Sequence, residues 1–218
     1  MVDHDVAEVL QQSFLGSLPD HVHRDVADSA RIVDLPAGKL VYEPQLSIVL
    51  AGALRAFIDD GSGRHLTVSY VRRPHAIGIA GAAGQEFPVA FQAVTVTTIL
   101  RISPARFDKI RRNHSELGWA AAKELALYLD GVLAEIARVA FQPLRARIAH
   151  HLLALADCRD WEHHAVHQAE LAAAVGSVRE VVNRTVGTLR EAGLVDVSQA
   201  GVTVVNREGL LHVAGQRE

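Results

Sequence analysis

The sequence predicts an α+β chain in which an N-terminal antiparallel β-roll, one long helix and a C-terminal winged helix-turn-helix follow in that order. Three observations predict it. Short apolar runs separated by turn residues fill the stretch from Pro36 to Ile102. Apolar residues at alternating steps of four and three run from Gly118 to Val139. Two short amphipathic segments meet at Gly176, ahead of a run with the spacing of a hairpin.

The first 35 residues carry apolar positions at helical spacing, Val6, Val9, Leu10 and Phe14, interrupted by Gly16 and Pro19, and read as short helices. From Pro36-Ala37-Gly38 the texture changes to strands: Leu40 to Tyr42, Leu46 to Leu50, Ala53 to Ile58 and His65 to Tyr70. Asp59-Asp60-Gly61-Ser62-Gly63 supplies the positive-φ residues that a hairpin turn needs. Gly78 to Gly84 reads as a loop of small residues. Val89 to Val94 and Thr95 to Ile102 return to strand, with Val94, Val96, Thr98, Leu100 and Ile102 on one face. Many short antiparallel strands in so short a stretch make a small barrel or roll, which can enclose a ligand.

Ser103-Pro104 starts a helix, with serine as N-cap and proline at the first helical position, where its missing N–H costs nothing. The long helix follows. Gly118, Ala122, Leu125, Leu129, Val132, Ile136 and Val139 have the spacing of a coiled-coil seam, and no comparable heptad run elsewhere in the sequence offers a partner. The partner is therefore expected to be the same helix of a second copy, making a homodimer. Within that seam Ala122, Leu125, Leu129, Val132, Ile136 and Val139 form the expected interface. A second line, Leu117, Leu127 and Leu133, is left to pack on the chain's own domains. Pro143 ends the helix, because it cannot donate the internal hydrogen bond and clashes with the preceding turn. The expected division is 1–114 for the helices and sensor roll, 115–142 for the dimerisation helix and hinge, and 143–218 for the winged helix-turn-helix.

Beyond the hinge, Leu144, Ile148, Leu152 and Leu155 mark an amphipathic helix, and Asp157 to His164 reads as a loop. From Gln168 a helix runs to Gly176, which can take the left-handed conformation of a tight turn. Ser177 and Glu180 have the spacing of a capping box for a second helix. Val178, Val182, Val186 and Leu189 would form its buried stripe, while Arg179, Glu180, Asn183 and Arg184 project outward. That outward chemistry suits a DNA major groove: arginine pairs with guanine, glutamate accepts from cytosine and asparagine suits adenine. Ser177 and the helix N-terminus can meet a phosphate. The expected DNA-facing set is Ser177, Val178, Arg179, Glu180, Asn183 and Arg184. Leu194 to Ser198 and Val202 to Val205, joined at Ala200-Gly201, form the wing.

Composition restricts the function. Forty-nine per cent hydrophobic residues provide a core, and no run of eighteen apolar residues without a charge appears. Met1-Val2-Asp3-His4-Asp5 is acidic where a signal peptide would be basic, so a cytoplasmic protein without membrane partners is expected. The net charge of −3 provides no overall attraction to a polyanion, so any DNA contact must rest on a local patch. No Ser–His–Asp set, metal signature or phosphate loop is identifiable by spacing, and no catalytic residue or metal site is assigned. His21 and His23, and His163, His164 and His167, have ligand-like spacing but are read as surface histidines.

Three stretches, Leu50 to Phe57, Arg147 to Ala156 and Ser177 to Arg184, together with this order of elements, resemble the Crp/Fnr superfamily of bacterial transcription regulators from about Pro36 to the end. The resemblance implies a cyclic-nucleotide-binding-like roll, a homodimer on double-stranded DNA and base recognition by Arg179, Glu180 and Arg184. RNA polymerase and a small-molecule effector are further candidate partners.

Cyclic-nucleotide-binding members resemble one another in a Gly-Glu-x-Ala segment followed by Arg-Ser/Thr-Ala. Here Ile79 follows Gly78, the later positions read Pro88-Val89-Ala90, and no arginine lies between Arg73 and Arg101, although Glu86 is nearby. A buried phosphate would lack its cation, so cyclic AMP is not the expected effector. The single cysteine, Cys158, excludes the iron–sulfur branch. The remaining effector wall is apolar, with Gly78, Ile79, Ala80, Ala90 and Leu125 as candidate lining. No cofactor is predicted; the alternative reading is a haem- or hydrophobic-ligand-binding sensor whose DNA binding is gated by that ligand, with His65 and His75 as candidate haem ligands.

Overall fold

Strand alternation and turn chemistry decide where this chain pairs with itself. The computed structural model describes residues 2–42, 45–61, 65–85, 88–157 and 165–215, with side chains from residue 6 onward. In chain order the elements are α1 (Val2–Gln12), α2 (Asp20–Ser29), β1 (Ala30–Leu35), β2 (Leu40–Val41), β3 (Ser47–Ala51), β4 (Ala53–Asp59), β5 (His65–Arg72), β6 (Ala76–Ile77), α3 (Ile79–Ala82), β7 (Ala90–Ala93), β8 (Thr97–Ile102) and α4 (Pro104–Asn113). Then come α5 (Glu116–Phe141), α6 (Leu144–Ala156), α7 (Gln168–Ala174), α8 (Arg179–Glu191), β9 (Val195–Ser198), β10 (Gly201–Val204) and α9 (Arg207–Gly215). Two units form, and they are not successive stretches of chain. One holds Met1–Ala56 and Ser69–Gly131, the other Phe57–Val68 and Val132–Glu218.

The roll is built from two four-stranded sheets of order β1-β8-β3-β6 and β2-β7-β4-β5, and lies in the first unit except for the distal parts of β4 and β5. β8 is central to the first sheet, pairing antiparallel with β1 from Ala30↔Ile102 to Leu35↔Thr97 and with β3 on its other side. One face of that sheet is covered by helices: Val9, Leu10, Val22, Val26, Phe107 and Leu117 pack with Ile48, Leu50, Leu100 and Ile102. Each such large aliphatic contributes about 1.5–3 kcal/mol when fully buried. Ser103 caps α4, its hydroxyl accepting from the Arg106 amide, with Pro104 at the first helical position, as the sequence predicts.

In the second unit α6 buries Ile148, Ala149 and Leu152, against which α8 and α9 pack. Val166 exchanges both backbone hydrogen bonds with Val202, at 3.0 and 2.9 Å, and so adds a rung to the β9–β10 wing. Gly201 permits this approach, since a Cβ there would stand 2.5 Å from the Val166 carbonyl oxygen. The sequence reading lacks α9, which Asn206 starts by accepting from the Gly209 amide.

Three segments fold differently from the sequence expectation. Residues 30–35 form a strand rather than the end of a helical region, because β8 supplies a partner far away in sequence. Gly78 to Gly84 is not simply a loop: Gly78, with φ of +78°, leads into the helical turn α3. The strand expected over Thr95 to Ile102 starts only at Thr97. Val96 is exposed, and Thr97, Ile99, Leu100 and Ile102 are all buried, because both faces of β8 are covered.

Two glycines with left-handed backbone separate strain from crowding. Gly52 has φ of +78° and a Cβ there would lie 2.5 Å from the Val96 carbonyl oxygen; Gly61 has φ of +77° with open space. Gly61→Ala is expected to cost about 1–2 kcal/mol, from the left-handed conformation alone. Gly52→Ala should cost more, because backbone must also shift; urea denaturation of the two variants checks the order.

Candidate nucleic-acid interface

The helix-turn-helix is built by a specific closure of α7. The Ser177 amide donates to the Ala172 carbonyl at 3.0 Å and the Gly176 amide to Ala173 at 3.3 Å, the paired bonds of a Schellman end. Gly176 carries the left-handed φ of +62° that this end requires. Val178 is then extended and stands at the N-cap position, so α8 starts at Arg179. This corrects the capping box. Ser177 uses its amide to close α7 and lies one residue too early, and no side chain caps α8.

The faces of α8 follow from that start. Val182, Val186 and Leu189 are fully buried. Val178 leaves the predicted buried stripe: it precedes the helix and is 60% exposed. Arg179, Glu180 and Arg184 are exposed together, and Ser177 is half-buried. Asn183 is half-buried too, with its Oδ1 shielded and without a hydrogen-bond partner. Uncapped amides at the α8 N-terminus add a partial positive charge beside Arg179.

On α5 the buried line is Leu117, Ala120 and Glu124. The predicted seam lies elsewhere on the helix: Gly118, Ala122, Leu125, Leu129 and Ile136 are exposed, while Val132 and Val139 are half-buried. Leu127 and Leu133, expected to pack within the chain, are exposed as well. Leu133 is one residue round from Val132 and widens the exposed apolar face, whereas Leu127 stands apart from it.

Residues 146–213 match the Crp-like helix-turn-helix domain. Over 179 residues the chain is 32% identical to the transcriptional regulator SdrP of Thermus thermophilus, covering 78% of this chain and 83% of that one. It is 26% identical over 171 residues to the cAMP-activated global transcriptional regulator Vfr of Pseudomonas aeruginosa, covering 73% and 79%. A solved Crp/Fnr-family regulator from Thermus thermophilus matches with a TM-score of 0.72 at 27% identity, over 86% of this chain and 100% of that one. The chain belongs to the Crp/Fnr family of transcriptional regulators. A family structure from Eubacterium rectale shares the fold with a TM-score of 0.81 at 19% identity, covering 92% and 97%.

In this Crp/Fnr chain the residues of the candidate effector wall differ in exposure. Ile79 and Ala90 are buried, Gly78 and Ala80 half-buried, and Leu125 is 40% exposed on a different face of α5 from the buried line. Glu124 instead reaches the roll. Its Oε1 accepts from the Ala76 amide at 3.2 Å and meets His75 Nδ1 at 3.1 Å, with Glu124 only 4% exposed. Tyr128, one turn on, has a shielded hydroxyl without a hydrogen-bond partner, and burial pushes its pKa up. The sequence signal for this pair was a carboxylate placed seven residues after Leu117, on the buried line of a mostly apolar helix. Glu86 lies outside the described residues.

The candidate haem and metal histidines have local partners. His65 stacks on Phe57 at 4.3 Å and meets Asp59 Oδ2 at 3.2 Å, and His75 meets Glu124. His23 bonds the Leu15 carbonyl, and His21 lies against the His114 ring. His167 stands at the N-cap position of α7, while Cys158, His163 and His164 lie outside the described residues. Among the described residues no group of three or more His, Cys, Asp or Glu side chains is placed to hold a metal ion. No helix among them is long and apolar enough to cross a membrane.

The hydrogen bond that His75 donates to the Glu124 carboxylate raises the pKa of His75 above its ordinary 6.5. A raised folded value means that this contact stabilises the unit fully below pH 6.5 and loses that contribution as pH climbs through the raised pKa. Nuclear magnetic resonance titration of His75 should show the upward shift in the native chain and its loss in Glu124→Gln.

Proposed function

We propose that this Crp/Fnr regulator acts as a cytoplasmic homodimer that binds a roughly palindromic double-stranded DNA site and controls transcription from it, without catalytic activity of its own. One observation carries the reading: Arg179, Glu180 and Arg184 are exposed at the start of a helix whose opposite face is fully buried. Arg179 and Arg184 are the base readers, suited to bidentate bonding of guanine, and Glu180 selects cytosine by accepting from its amino group. Ser177 and the uncapped amides of α8 hold phosphate, and Val178 offers an apolar contact for a thymine methyl. Asn183 belongs to the same surface but acts only if its side chain turns outward.

The exposed apolar face of α5 supports the homodimer, which sets two copies of α8 on one site. Ala122, Leu125, Leu129, Val132, Ile136 and Val139 form the seam. RNA polymerase is the partner through which either activation or repression would act. Control by cyclic AMP is not part of this reading. No arginine lies between Arg73 and Arg101 to meet a phosphate, and Glu124 already occupies the Ala76 amide. Any effector is expected to be apolar, bounded by Gly78, Ile79, Ala80 and Ala90.

Replacing Arg179 or Arg184 with alanine should cost about 1–3 kcal/mol per base contact and relax preference at that base pair, measured against single-base variants of a selected site at fixed salt. Unchanged preference in both variants would overturn the assignment of α8. Separately, Leu129→Lys combined with Ile136→Lys would bury charges without partners, and equilibrium sedimentation should then report monomer. A variant that stays dimeric would remove the seam.

A further inference from the structure

We infer that the distal half of the β4–β5 hairpin is a positioning part of the DNA-reading head, with Leu66 bracing the turn between α7 and α8. The inference rests on the proposed reading by α8. Residues Phe57–Val68 group with the C-terminal unit rather than with the rest of the roll. Leu66 forms an antiparallel bridge with Val175, the buried C-cap residue of α7. The next residue, Gly176, makes the turn, and a Cβ built there would lie 3.3 Å from Leu66 Cδ1, so the leucine methyl fills the space beside the glycine.

The bracing hairpin is itself anchored. Phe57 is fully buried and stacks on His65, and His65 Nε2 meets Asp59, so β4 and β5 are tied to each other here. The start of α8 lacks a side-chain cap of its own, so its first turn depends on the turn before it, while burial of Val182, Val186 and Leu189 sets the rotation of the helix. Leu66 fixes that turn while Arg179, Glu180 and Arg184 stay exposed. A mask would cover the reading face; this contact supports it from beside the turn. Holding the turn in its binding geometry raises the fraction of molecules ready to bind, and the apparent affinity rises with that fraction.

The test uses the full chain with Leu66→Cys and Val175→Cys in a Cys158→Ser background, since directly opposed residues of an antiparallel pair stand close enough for a disulfide with small adjustment. The cross-link should form under mild oxidation, and the oxidised protein should bind its selected duplex at least as tightly as the reduced one. Leu66→Asp should weaken binding about tenfold, as the binding-ready fraction falls. It should also speed amide exchange over residues 175–180 and leave the sedimentation of the dimer unchanged. Failure to cross-link, weaker binding after cross-linking, or wild-type affinity in Leu66→Asp would each overturn the brace. Arg179→Ala in the same series keeps the two ideas apart. If it loses base preference while Leu66→Asp binds normally, only the brace fails; if its preference is unchanged, the reading by α8 itself fails.

Discussion

One uninterrupted helix carries two apolar faces, and a single chain covers only one of them. The α-helical repeat places Leu117, Ala120 and Glu124 on a buried line of α5 and leaves Leu125, Leu129, Leu133 and Ile136 between 40% and 58% exposed. An exposed stripe of this length is costly in water, and apolar patches of that kind mark interaction sites. A second copy of the same helix is the cover that the heptad spacing fits. The proposed function depends on this constraint, because two reading helices on one palindrome need a two-fold axis to relate them.

The reading head depends on a chain of local requirements. Gly176 adopts a left-handed conformation, which lets the amides of Gly176 and Ser177 close the end of α7. That closure sets Val178 at the N-cap position and Arg179 at the first turn of α8. Burial of Val182, Val186 and Leu189 then fixes the rotation of the helix, and the arginines face outward as a result. Since the chain is acidic overall, with net charge −3, the proposed reading asks these few groups to supply both attraction and selectivity.

Features that depend on residue type at a fixed spacing were legible in the sequence. The Ser103-Pro104 start, the long helix α5, the break at Pro143 and the wing turn at Gly201 are of this kind. Features that depend on a distant partner were not. β1 exists because β8 pairs with it, and its charged residues Arg31 and Asp34 hide the strand signal. The bridge between Leu66 and Val175 leaves no local mark on either segment. The capping box failed for a subtler reason: the sequence offers the right residues, but the geometry of the preceding helix end consumes Ser177 first. Glu124 was hidden because a carboxylate on a long helix ordinarily faces solvent, whereas here the Ala76 amide and His75 receive it.

In the proposed function two copies of α8 read one duplex as a rigidly spaced pair. The most direct measurement is affinity for duplexes in which the two half-sites of the selected palindrome are moved apart by half a helical turn, about five base pairs, at constant salt. Such an insertion turns one half-site to the opposite side of the duplex, so binding should fall to the level of an isolated half-site. Affinity that is unchanged by the insertion would contradict the account, because it would mean that the two reading helices do not act as a coupled pair.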